Sequence, residues 1–348
     1  MDEAVAPAPR EQGWKQVLLA LAAFLLVPMM PVLRAIVPVE QTALLLVPAL
    51  AVCTLLGWLS GGKLALALIW SAVAAWVLVQ RSAPGASAYH DLARGWGLLS
   101  AGAFGLVCVL GSGRTFLSRA LSAVALATVI ASALVLAGTV DGAGAARALQ
   151  EQYAARNAQT IVAWQEMVAR YADEWSRLVA SVPATARLAL NPEGTLHAMS
   201  ALSLAVFPAL LALESIAALA LAWALYHRLS RARLGAPLAP LREFRFNDQL
   251  VWGLIVGFAV VFLPAITGLR GAGLNLLVFF GTLYVLRGLG IIAFFLAPGG
   301  LVIALAFIFA MLVWPVFAVL AAATAALALG LGLGDTWLDW RRRTRPTS

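Results

Sequence analysis

Apolar residues run along this chain in long blocks separated by short polar breaks. A helix that crosses a bilayer needs about 20 predominantly apolar residues. The blocks at 17–33, 42–59, 64–79, 95–110, 120–140, 198–226, 250–266 and 274–296 each predict one membrane helix. Pro28 and Pro31 bend the far end of the first, Gly61-Gly62-Lys63 turns the second into the third, and Gly111-Ser112-Gly113-Arg114 ends the fourth. The last block, 301–334, is too long for one ordinary span and carries Trp314-Pro315 near its middle. It predicts either one long kinked helix or a hairpin of two short ones.

The longest polar insertion is 141–197. Residues 145–181 contain no Pro or Gly and are rich in Ala, Gln, Glu and Arg, a helical composition. Ile161, Trp164, Val168, Tyr171, Trp175 and Leu178 recur at alternating spacings of 3 and 4 and make one apolar stripe. The expectation is an amphipathic helix that lies on the membrane surface or caps the bundle, with a partner-binding or coiled-coil helix as the alternative. The stripe is the candidate partner surface.

Composition makes a soluble fold untenable. Of 348 residues 62% are hydrophobic and 11% charged, against roughly 25% charged in soluble domains. The formal charge of +8 sits in short arginine clusters between apolar blocks. That is the positive-inside pattern of a membrane protein and not a nucleic-acid-binding face, so no nucleic-acid partner is expected. The richest cluster lies in the loop 227–249, with Arg228, Arg231, Arg233, Arg242 and Arg245. With that loop in the cytoplasm, counting back places the N-terminus inside and the amphipathic insertion outside. The tail arginines Arg341, Arg342, Arg343 and Arg345 come inside only if 301–334 turns back. The count is then about ten membrane segments, with nine as the alternative. Arg10 and Lys15 precede the first block without a small-x-small cleavage site after Leu26, which predicts an uncleaved first helix.

Candidate chemistry is sparse. Cys53 and Cys108 lie inside apolar blocks, and His90, His197 and His227 form no ligand cluster, so no metal site, disulfide or cofactor is expected. No enzyme motif is present, and no catalytic residue is assigned. Two ionisable residues lie deep in apolar blocks, Glu214 and Arg287. Each costs on the order of 3 kcal/mol at a helix centre unless it pairs or lines a wet cavity. Counted from the helix ends their depths match to about 5 Å. They form the candidate site: a Glu214–Arg287 ion pair acting as an interhelical staple, or a polar site for a solute or ion. Arg287 snorkelling to the surface is the third possibility. Asn275 and Thr282 are weaker polar candidates on the helix of Arg287, where interhelical hydrogen bonding is the preferred account of them. Gly97, Ala101 and Gly105, and likewise Gly253 and Gly257, repeat every four residues and predict close helix packing.

The second half resembles the YybS-like family of predicted bacterial inner-membrane proteins. The resemblance rests on Phe207-Pro208-Ala209 through Tyr226-His227-Arg228-Leu229, on Pro240-Leu241-Arg242-Glu243-Phe244, and on Asn275-Leu276-Leu277, Leu283-Tyr284-Val285-Leu286-Arg287-Gly288-Leu289 and Leu333-Gly334-Asp335-Thr336-Trp337-Leu338-Asp339-Trp340-Arg341. That family is distantly similar to the substrate-binding membrane subunits of energy-coupling-factor transporters. The resemblance implies a bundle able to enclose a small solute. The alanines spaced by four through which those subunits dock a partner are missing from the first block, where Phe24, Leu26 and Val27 stand four residues after Ala20, Ala22 and Ala23.

The expected object is an all-α, polytopic transmembrane helical bundle in a bacterial inner membrane. Residues 1–140 form an N-terminal bundle of five segments, 141–197 the insertion outside, and 198–348 a C-terminal bundle. The expected function is that of a transport-related small-solute binder, with a non-transporting scaffold or assembly protein of the envelope as the alternative.

Overall fold

A computed structural model of the chain describes residues 13–29, 34, 36–79, 88–111, 113–170, 173, 176–177, 192–230, 232, 234–296 and 314–343. The helices are α1 (Trp14–Leu26), α2 (Ala43–Leu59), α3 (Leu64–Val79), α4 (Ala88–Leu110), α5 (Phe116–Leu136), α6 (Gly142–Arg170), α7 (Pro192–Ala205), α8 (Phe207–Leu229), α9 (Val251–Phe262), α10 (Arg270–Leu296), α11 (Trp314–Leu338) and α12 (Trp340–Arg343).

The turn between α2 and α3 follows from Gly61, whose φ of +91° lies in the left-handed region that glycine enters without strain. Gly62 N–H returns to the Gly57 carbonyl at 2.8 Å and closes the helix end. Pro48 inside α2 has no N–H, so the carbonyl of Leu44 loses its helical donor. Gly97 of α4 packs onto that carbonyl; a Cβ there would come within 2.3 Å of it. Gly105 meets Val52 one register further on, so α2 and α4 run parallel. α8 also runs parallel to α2, since Glu214 meets Val39 and Tyr226 meets Gly57. The core between these helices and α5 holds Leu50, Phe104, Ala120, Ala123, Trp223 and Tyr226, with Phe104 edge-on to Trp223 at 5.9 Å.

The second half is built on small residues. Gly257 lies against Gly273 and Gly253 against the Phe280 ring, so α9 and α10 form an antiparallel pair. α10 and α11 approach most closely at Gly288 and Gly332. A Cβ on Gly288 would sit 1.7 Å from the Ala328 carbonyl oxygen, and one on Gly332 would sit 2.0 Å from that of Tyr284.

The polar stretch 230–250 is an ordered elbow. Arg119 Nη1 donates to Leu234 O at 2.8 Å, Trp223 Nε1 to Ala236 O at 3.1 Å and Tyr226 OH to Ala232 O at 2.7 Å. His227 Nε2 lies 3.0 Å from Gly235 O. These four side chains bind carbonyls that have no helical partner of their own.

Several expectations change. Among the described residues four helices are long and apolar enough to cross a membrane: Ala88–Leu110, Phe116–Leu136, Phe207–Leu229 and Thr267–Leu296. Trp14–Leu26, Ala43–Leu59, Leu64–Val79, Asp248–Phe262 and Ala323–Leu338 are apolar but shorter. Ten full-length segments are therefore not supported. The cause is punctuation inside the apolar blocks. The first block leaves its α-helix at Leu26, ahead of Pro28. The block 198–226 breaks at Val206 because Pro208 opens a new helix. In the last block, Pro315 stands in the first turn of α11, where its missing N–H costs nothing. The proposed hairpin's first arm, 301–313, lies outside the described residues.

The insertion helix turns a largely polar face to the bundle: among its described residues Ala148, Tyr153, Arg156, Asn157 and Thr160 are buried, and Ile161 and Trp164 of the expected stripe are half-buried. The side chain of Val168 and residues Tyr171, Trp175 and Leu178 lie outside the described set.

Two glycine substitutions separate packing from propensity. Gly288→Val should lower stability by about 3 kcal/mol through overpacking, read from unfolding in detergent. Gly281→Ala has open space and should raise it by about 0.5–1 kcal/mol.

Candidate functional site

Helix α6 lies across the end of the bundle where α2, α4 and α8 begin. Its anchor is Arg156, which is 1% exposed. Arg156 Nε is ion-paired with Glu40 Oε1 at 2.5 Å. Nη1 donates to Val37 O at 2.8 Å, and Nη2 donates to Tyr89 OH at 2.8 Å and to Pro38 O at 3.4 Å. The guanidinium carbon stands 5.1 Å from the centre of the Tyr89 ring and 5.0 Å from that of Tyr153. Tyr89 OH donates to Pro38 O, and burial pushes the Tyr153 phenol up from its ordinary range while Arg156 pulls the other way. Asn157 is bonded to Ser200 of α7 at 2.5 Å. The buried face of α6 is polar because its partner is the carbonyl-bearing segment 37–40, not a hydrocarbon surface.

Glu214 meets the same segment from below. Its Oε2 accepts from Val39 N–H at 2.9 Å. Its Oε1 is buried and has no hydrogen-bond partner among the described residues. A half-satisfied carboxylate is thereby held beside the roof, and the next residue, Ser215, accepts from Trp96 Nε1 at 2.9 Å.

Arg287 lies in a second, separate cluster. Its Nε donates to Asp335 Oδ2 of α11 at 3.0 Å, and its Nη1 donates to Asp248 Oδ1 of the elbow at 2.6 Å. The guanidinium also stacks 5.3 Å from the Phe246 ring centre. Asp335 Oδ2 accepts in turn from Arg341 Nη2 at 3.0 Å, and Arg341 Nη1 donates to Arg242 O at 2.9 Å. Arg245 and Asp339 form an ion pair beside them. The tail is thus docked on the elbow by side chains from both.

The expected Glu214–Arg287 pair is replaced by these two clusters, and the reason is register. Asn275 Oδ1 accepts from Ala209 N–H at 2.9 Å and makes those residues level. Glu214 is five residues beyond the first and Arg287 twelve beyond the second, which separates them by about 10 Å in depth at 1.5 Å per residue. Counting back from Tyr226 and Leu296 misses this because those two ends are not level: they lie 17 and 21 residues beyond the Ala209–Asn275 contact. Asn275 also donates to Ala205 O at 3.0 Å and Gly271 O at 2.8 Å, so it is a clamp between α10 and the α7–α8 break. Thr282 donates back to Val278 O of its own helix at 2.7 Å. The residues that sequence reasoning missed are Glu40, Tyr89, Tyr153, Arg156, Asp248, Asp335 and Arg341. One signal was available for the second cluster. Asp335 directly follows the longest apolar block, and a buried arginine needs such a carboxylate.

Removing one partner of a buried ion pair costs about 3–5 kcal/mol. Asp335→Asn should lose that amount in detergent unfolding. Asp248→Asn, whose side chain is 57% exposed, should lose about 1 kcal/mol or less. Arg156→Gln should speed amide hydrogen exchange in α6 while leaving α10 and α11 unchanged.

No curated protein and no solved structure matches the chain. The model of the family described as predicted membrane protein (DUF2232) matches residues 114–331, more than half of the sequence and inclusive of the elbow, Glu214 and Arg287, and the chain belongs to that family of membrane proteins.

Proposed function

We propose that this membrane protein binds a small solute beneath the α6 roof, in a transport-related role and without catalysing a reaction. The observation that carries the reading is Glu214. A carboxylate inside a membrane-spanning helix is expensive and belongs either in a complete pair or beside a polar ligand or ion path. Glu214 has one backbone donor on Oε2 and a buried Oε1 with none among the described residues. The resemblance of 205–343 to the YybS-like proteins, and through them to energy-coupling-factor binding subunits, supports the same reading. The protein sits in a bacterial inner membrane with the elbow and the N-terminus in the cytoplasm and α6 outside. The arginines of the elbow support that orientation.

A scaffold or assembly role in the envelope is the second reading. It is favoured by the Arg287 cluster, in which Arg287, Asp248, Asp335 and Arg341 are joined to one another and leave the guanidinium no ligand role. In that case the exposed edge of α6, with Val162 52% exposed and Trp164 half-buried, is the partner surface.

Two measurements decide. Protein purified in mild detergent should be stabilised by a few degrees by one solute in a thermal-shift screen, and Glu214→Gln should abolish the shift. Co-purification of a stoichiometric partner protein with no solute response would instead favour the scaffold. Reporter fusions at Gly235 and at Asp141 should report opposite sides of the membrane, with Gly235 cytoplasmic. Equal sidedness would reject the orientation.

A further inference from the structure

The seat that Arg156 fills has the chemistry of a cation site. Around the guanidinium stand the Glu40 carboxylate, the Val37 and Pro38 carbonyls and the Tyr89 phenol oxygen, all acceptors. The Tyr89 and Tyr153 rings supply two π faces at about 5 Å, the arrangement that recognises ammonium and guanidinium groups. Glu214, bonded to Val39 of the same segment, adds a second carboxylate whose Oε1 is buried and unpartnered among the described residues. A nearby cation among the described residues, Arg34, stays peripheral. It is 3.8 Å from Glu40 and is held by Pro28 O and Gln159.

We propose that this seat binds a small organic cation, a primary amine or a guanidine, and that Arg156 is a tethered occupant which such a ligand displaces. The inference rests on the reading of the roof as a solute site and names its ligand class. The exchange is balanced in charge. One cation leaves with α6 and one enters, so Glu40 and Glu214 are never left facing an empty low-dielectric seat. The occupant comes from α6, whose other described side-chain ties include Asn157–Ser200, Arg34–Gln159 and the Tyr153–Phe207 ring contact at 6.3 Å. None of the residues that form the core around Trp223 belongs to α6, so lifting that helix vacates the seat without opening that core. Because a tethered group competes at millimolar effective concentration, Arg156 sets a threshold below which free cations do not enter.

The test uses the full-length protein in detergent with ethylguanidinium and ethylammonium as probes, and with ethylurea and propionate as neutral and anionic matches. Arg156→Ala should bind a cationic probe saturably by calorimetry, at least tenfold more tightly than the parent protein. The double variant with Glu214→Gln should lose most of that gain. In the parent protein, saturating cation should raise hydrogen exchange of residues 148–160 several-fold and leave α8 protected. Should Arg156→Ala not fold, recovery of folded protein upon growth or refolding with ethylguanidinium would support the seat, and the parent exchange experiment decides the matter by itself. No cation-specific binding to the variant, or no change in parent α6 exchange, overturns the proposal. If the parent protein is instead stabilised by propionate or ethylurea through Glu214, the solute-site reading stands and the cation assignment falls. If no probe and no solute of any class acts, both fall.

Discussion

A guanidinium buried away from water must find acceptors inside the protein, and among the described residues Arg119, Arg156 and Arg287 do so at places that organise this fold, with Arg341 joining the last of them. Arg119, Arg156 and Arg287 are 2%, 1% and 3% exposed. Each holds a stretch of chain that has left regular helix. Arg119 binds the elbow at Leu234, Arg156 binds the 37–40 segment, and Arg287 joins the elbow's end at Asp248 to α11 at Asp335. Non-helical backbone at membrane depth survives only where protein groups replace water as its partners. The arginines thus supply partners for described carbonyls of the elbow and of the 37–40 segment.

Between those fixed points, packing rests on the absence of side chains. Gly97 on Leu44, Gly288 on Ala328 and Gly332 on Tyr284 bring backbones to distances that a single Cβ would forbid. In lipid there is little hydrophobic drive between helices, so close van der Waals contact has to supply the association. The glycines and the arginines divide the work: small residues set how near α10 and α11 lie, and the ion pair at Arg287 and Asp335 sets their register.

The two ends differ in character. At the elbow the polar groups are joined to one another, from Arg287 through Asp335 to Arg341. At the roof they converge on a short segment and leave Glu214 with one oxygen unpartnered among the described residues. Each end leaves a buried carboxylate oxygen unpartnered among the described residues, Glu214 Oε1 at the roof and Asp335 Oδ1 at the elbow; the difference is that Asp335 Oδ2 already has two guanidinium donors, whereas Glu214 Oε2 has a backbone N–H.

The sequence by itself determined that this is a helical membrane protein, where the apolar blocks lie, and that Glu214 and Arg287 are buried ionisable residues needing partners. Those properties follow from local composition and from the cost of charge in hydrocarbon. The small-residue repeats at Gly97–Gly105 and Gly253–Gly257 also announced close contacts that the structure makes. Only the tertiary structure decided who the partners are. The Asn275–Ala209 contact sets a register that hydropathy does not carry, and it sends Glu214 to Val39 and Arg287 to Asp335. The buried face of α6 was likewise undecidable from periodicity, because Arg156 is buried by what it meets, the Glu40 carboxylate and the Val37 and Pro38 carbonyls, and not by its own hydrophobicity.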